Sequence, residues 1–233
     1  MPQTLPYPWL LLSAAGLALL NWYAAERSLR WLIYFSKPGV MLAILVWFGL
    51  AAGLLQSGLL LTTGLFLFGG VCGLVGDIAL MLPVVRFKLG LAAFLLGHLS
   101  YTLALNPRLP NTPWFGMLLA AGLALLGWRF YLRLASSLQI KKLRQMRLPV
   151  LLYILAILPM AYSAIQTLWQ PAWQILPALL VALGGVFFIL SDGLLAWDRF
   201  VRPLPHARPL VMITYHLAQF GILVGAAIAG GLI

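Results

Sequence analysis

The sequence predicts an all-α integral membrane protein of about eight transmembrane helices, and three observations lead there. Hydrophobic residues make up 63% of the 233 and charged ones only 8%, against roughly 25% charged in a soluble domain. A chain so poor in polar side chains, with a mean hydropathy of +1.01, cannot cover itself with a water-facing surface. The apolar runs are also continuous over about 20 residues, enough to cross the hydrocarbon core as a helix, and lack the alternation of membrane β-strands. Finally, the basic residues recur in every second loop, the alternation that the positive-inside rule gives when no span is missed or invented.

The spans follow in order. The first, 8–25, has no basic segment before it, which argues against a cleaved secretory signal. Pro38 opens the second, 38–56, at a first-turn position suited to proline. The third, 59–82, carries Gly69 and Gly73 at helical spacing with Asp77, and the buried thiol Cys72. The fourth is 88–105. The turn-forming stretch NPRLPNTP (106–113) separates it from the fifth, 113–134. Pro149 opens the sixth, 148–168, and QPAWQ (170–174) leads to the seventh, 173–196, followed by the eighth, 209–232.

Of the 15 basic residues, Arg108 alone falls outside the loops after spans one, three, five and seven. The chain is thus predicted to be multi-pass in the inner or plasma membrane, with both termini non-cytoplasmic. The net charge of +11 is explained by orientation, and no nucleic-acid partner is expected. The whole chain, 1–233, reads as one transmembrane domain. Within it the halves 1–106 and 112–233 resemble each other: Ser36-Lys37-Pro38 matches Arg147-Leu148-Pro149, Asp77 matches Asp192, and His98 matches His216. Four spans per half would make this a parallel repeat.

The polar residues inside the spans carry the functional reading. A carboxylate in a bilayer is costly and marks a functional site by default. Asp77 lies nine residues before Arg86, and Asp192 seven before Arg199; His98 follows Lys88 by ten residues, and His216 follows Arg208 by eight. At 1.5 Å per residue all four sit roughly 10–15 Å from the basic rim, in one cytoplasmic-side layer. Tyr101, Tyr215, Gln219, Tyr153 and Asn21 fall in or near the same leaflet, and the far leaflet has almost nothing ionisable. Phe94, His98 and Tyr101 share one helix face, and Met212, His216 and Gln219 another. Tyr153, Asn21 and Gln219 taken singly could equally be bonds between helices. No two ligands fall at metal-binding spacing on one helix and no cysteine pair exists, so neither metal nor cofactor is expected. The same Asp/His set would also serve a proton-coupled transporter as a relay, although no polar residues continue the path into the far leaflet. The residues do not reveal an oligomeric state.

The ordered set Lys37-Pro38, Gly76-Asp77, Phe87–Gly90–Phe94–His98–Tyr101, Ser191-Asp192 with Phe200, and Tyr215 with Ala218-Gln219 resembles the YhhN-like lysoplasmalogenase family over about residues 20–225. That resemblance implies hydrolysis of the vinyl ether bond of a lysoplasmalogen-like lysophospholipid drawn from the membrane, giving a fatty aldehyde and a glycerophospho-headgroup product. The residues suit such chemistry. A vinyl ether is cleaved by protonating its terminal alkene carbon, after which water captures the oxocarbenium ion; glycosidases solve a related problem with two carboxyl groups. Asp77 and Asp192 are the expected acid/base pair, with His98, His216, Tyr101 and Tyr215 orienting it or holding water. Lys37, Arg86, Lys88, Arg199 and Arg202 would meet the phosphate and Gln219 the substrate, in a site open to the cytoplasmic leaflet.

Overall fold

A computed structural model describes residues 6–52, 61–82, 86–107 and 112–230, and in these it is helical throughout, with no strands. Eight helices are long and apolar enough to cross a membrane: α1 (Pro8–Glu26), α2 (Arg30–Ala51), α3 (Leu61–Met81), α4 (Phe87–Leu105), α5 (Trp114–Ile140), α6 (Arg147–Gln166), α7 (Ile175–Ala196) and α8 (Ala207–Ala229). The protein is a multi-pass membrane protein. A π-helical turn, Trp197–Val201, extends α7. Arg108 and the predicted span ends at 53–60 and 231–232 lie outside the described residues.

Pairs of helices adjacent in sequence make the closest packing, α3 with α4 and α7 with α8. Glycine is what brings them together. A Cβ on Gly221 would stand 2.6 Å from the Leu180 carbonyl oxygen and 3.0 Å from Gly184 Cα, and one on Gly184 would meet the Ala218 carbonyl at 2.9 Å. Backbone sits against backbone here, as in small-residue helix contacts generally. Gly221→Ala is therefore expected to destabilise by about 1–3 kcal/mol through overpacking, read as a lower melting temperature in detergent. Gly16→Ala, with nothing within 4 Å of the added carbon, should leave that temperature unchanged.

Trp47, Phe48, Met41, Phe188, Ile222 and Leu223 form the middle of the core. α5 stands apart, packing chiefly on α6 and the π-helical turn, with most of its length facing lipid. The gap it leaves matters below.

Two expectations are corrected. Pro38 does not open a helix: α2 begins eight residues earlier, at Arg30, and Pro38 lies inside it. Proline there removes one hydrogen bond, to the Tyr34 carbonyl, which a membrane helix packed among neighbours tolerates. This shift carries Lys37 from the loop into the bundle. The far end of the bundle is also not devoid of polar groups. Asn106 donates to Ser163 Oγ at 2.7 Å and accepts from Gln166 Nε2 at 2.5 Å, with Thr167 buried beside them. None of these four is titratable: Asn106, Ser163 and Gln166 tie α4 to α6, and Thr167 donates to the Ala164 and Ala178 carbonyls.

Candidate functional site

Two cavities meet inside the bundle. The first, about 410 Å³, is the more polar of the two and opens at the basic end, where α1, α2, α3, α7 and α8 converge. Arg30, Tyr34 and Arg208 stand at its mouth, and Asp77, Asp192 and Tyr215 deeper in. The second, about 360 Å³, is almost wholly apolar and occupies the gap between α5 and α4, α6 and α7. Leu126, exposed on the lipid-facing side of α5, lines it, so the cavity reaches the membrane. Asp192 lines both cavities, together with Leu80, Phe94 and Leu195.

The two aspartates have different surroundings. Asp77 rides on the last turns of α3, and its Oδ1 lies 2.9 Å from Lys37 Nζ, with the two side chains 1% and 5% exposed. Its Oδ2 has no hydrogen-bond partner. Gly73 clears the space beside it: a Cβ there would come within 2.7 Å of Gln219 Nε2 and 3.0 Å of the Tyr215 hydroxyl. Gly76 likewise admits the Phe94 ring. Asp77 is thus paired with the buried amine of Lys37.

Asp192 has no such cation. The Tyr153 hydroxyl donates to its Oδ2 at 2.5 Å, and His98 Nε2 lies 2.9 Å from the Tyr153 oxygen and 3.2 Å from the same Oδ2. Edge contacts from Tyr153 and Phe188 fix the His98 ring. The Asp192 side chain is 15% exposed, all the more accessible beside the 1% of Asp77. A carboxyl bonded to a phenol and an imidazole, on the wall shared by two cavities, can give up a proton and take one back.

The remaining predicted residues divide. Tyr101 and Gln219 are buried and satisfy each other, the phenol donating to Gln219 Oε1 at 2.8 Å while Gln219 Nε2 donates to Tyr215 at 3.3 Å. Neither lines either of the two cavities. His216 accepts the Trp22 indole N–H at Nδ1, 3.0 Å, and its buried Nε2 has no partner; it packs beside Tyr215 rather than against either acid. Lys37, expected at the rim, is buried against Asp77 instead. Arg86, Lys88 and Arg199 line a separate recess beside Phe87 and Phe200, with the Arg199 guanidinium 4.0 Å above the Phe87 ring. Arg202 borders none of these spaces.

Sequence reasoning gave too little weight to four residues. Tyr153, which the sequence leaves open between a helix-bonding and a site residue, is the direct partner of Asp192. Arg30 and Arg208 passed for orientation charges and stand at the mouth of the polar cavity. Asp198, at a loop edge in the sequence, lines that cavity too. A signal was available for the last: Ser191, Leu195 and Asp198 fall at i, i+4 and i+7, one face of a helix. Among the described residues no three His, Cys, Asp or Glu side chains converge as metal ligands would.

Comparison with known proteins agrees with the residues. The chain is 32% identical to rat lysoplasmalogenase TMEM86B, covering 100% of this chain and 99% of the relative. It is 35% identical to the human lysoplasmalogenase TMEM86B over 86% of this chain and 78% of that one, and 33% identical to the mouse protein over 91% and 83%. No solved structure matches it. The model of the YhhN family matches residues 29–226, and the chain belongs to that family.

Proposed function

We propose that this protein is a membrane hydrolase that cleaves the vinyl ether bond of lysoplasmalogens, and that Asp192 is the proton donor. One observation carries the reading: Asp192 is the carboxyl common to an apolar cavity reaching lipid and a polar cavity ringed by arginine and tyrosine. In a lysoplasmalogen the vinyl ether joins the apolar chain to the polar glycerophospho-headgroup. A lipid with its chain among α4–α7 and its phosphate towards Arg30 and Arg208 therefore lays that bond across Asp192. The relatives named lysoplasmalogenase support the same substrate.

The steps follow from the two acid environments. The Asp192–Tyr153–His98 group delivers a proton to the alkene carbon one bond removed from the ether carbon, creating an oxocarbenium ion. Asp77, kept anionic by Lys37, stabilises that charge across the cavity. Asp192, now a carboxylate, takes a proton from the water that attacks the cation. The resulting hemiacetal collapses, its hydroxyl proton passing to the departing glycerol oxygen, to give a fatty aldehyde and the glycerophospho-product. Acid–base help of this kind contributes about 10²–10⁴-fold. By the positive-inside rule the polar mouth faces the cytoplasmic leaflet, with both termini on the other side.

The test is aldehyde release by the purified protein from three lysolipids sharing one headgroup: 1-alkenyl, 1-alkyl and 1-acyl. Aldehyde should form from the alkenyl lipid alone, because the alkyl ether has no double bond to protonate and the acyl ester would yield an acid. Absence of aldehyde from the alkenyl lipid, or fatty acid release from the ester at a comparable rate, would overturn the reading.

A further inference from the structure

We infer that Asp198 selects the headgroup, binding the cationic end of an amine-bearing lysolipid whose phosphate faces Arg30 and Arg208; this deepens, and rests on, the reading just given. The polar cavity has charges of both signs at its mouth. Arg30, from the start of α2, and Arg208, from the start of α8, supply the positive walls, and Asp198, from the π-helical turn after α7, the negative one. Asp77 and Asp192 lie deeper in and are engaged with Lys37, and with Tyr153 and His98. Asp198 is different. Among the described residues no Lys, Arg or His lies within ion-pair distance of its carboxylate. Its neighbour Arg199 is turned away, stacked on Phe87 in the separate recess. One carboxylate oxygen, Oδ1, accepts the Leu204 backbone N–H at 2.8 Å, which fixes the side chain and leaves Oδ2 for a ligand.

The placement depends on the backbone. A π-helical turn is rare and recurs at functional positions; here it spans Trp197–Val201 and presents Asp198 on the face already occupied by Ser191 and Leu195, both lining the cavity. Tyr34 offers an aromatic ring on the same wall set, and aromatic faces attract ammonium groups. A phosphodiester with an ammonium two carbons away matches this order of charges: anion to the arginines, cation to the acid. A phosphodiester ending in glycerol matches only the arginines.

Saturated 1-alkyl lysolipids, which cannot be turned over by alkene protonation, separate binding from hydrolysis. Affinities of the full-length protein in nanodiscs are compared for 1-alkyl-glycerophosphoethanolamine and 1-alkyl-glycerophosphoglycerol, each with one phosphodiester. Wild type should prefer the ethanolamine lipid about fivefold, the scale of a partly exposed ion pair. Asp198→Asn, which keeps an acceptor for the Leu204 N–H, should bring the two affinities within about twofold. Arg30→Gln should weaken both lipids alike and keep their ratio. A preference surviving in Asp198→Asn, or none in wild type, overturns the inference. Failure of aldehyde release from the alkenyl lipid would instead strike the proposed hydrolysis, and the binding ratio would still decide the role of Asp198.

Discussion

Asp192→Asn should cut aldehyde release by about 10²–10⁴-fold while the protein remains folded. Asparagine has nearly the shape of aspartate, and its carbonyl oxygen can still accept the Tyr153 hydroxyl, so the contacts that hold α4, α6 and α7 together at this point survive. Only the ability to hold and pass a proton is lost. Asp192 pairs with no lysine or arginine, so the change leaves no buried cation unmatched. Melting temperature in detergent should move little, and affinity for a saturated alkyl lysolipid should stay within a few-fold of wild type. Loss of turnover together with loss of folding would point to a structural role for Asp192. Turnover near the wild-type rate would remove it from the chemistry altogether. Tyr153→Phe is a useful companion: it deletes the hydroxyl that bonds both Asp192 and His98, and a smaller fall in rate with a changed pH profile would mark Tyr153 as a positioning residue.

Much of this site was legible before any coordinates, for a physical reason. Charged groups in lipid are so costly that a sequence keeps few of them, and here the few sat at matching depth on separate spans. Depth follows from rise per residue and basic ends from charge counting, so the layer containing Asp77, Asp192, His98 and His216 could be read off directly. Partnership could not. Helical periodicity says that His98 faces inward but not that it meets Asp192 on α7, since that depends on how the eight helices are arranged. Lys37 shows the limit most plainly. A proline one position later suggested a helix start, yet α2 runs through it, and a residue counted as a surface charge became the buried counter-ion of Asp77. Cavities are harder still to foresee: the gap beside α5 arises because that helix packs on only part of its neighbourhood, and no residue of α5 announces it.

Lys37→Met should be the most destabilising single change in the site. It keeps the length and packing of the side chain but leaves Asp77, 1% exposed, as a buried carboxylate without its cation, and breaking a buried pair from one side typically costs about 3–5 kcal/mol. Relief is limited to the neighbouring Tyr215 hydroxyl, because Gln219 is committed to Tyr101 and Tyr215. Removing the matching acid should undo much of the damage: Lys37→Met combined with Asp77→Asn replaces an ion pair by two neutral groups of similar volume, which buried sites often accept at little cost. The double variant should therefore melt well above Lys37→Met alone, with a coupling of about 0.5–3 kcal/mol between the two positions. Its activity should not return, since the anion that steadies the developing cation is gone. That split between recovered stability and lost turnover is the diagnostic result. Additive losses in the double variant would mean that Lys37 and Asp77 do not act as a pair. Restored turnover would mean that the negative charge of Asp77 plays no part in cleaving the ether.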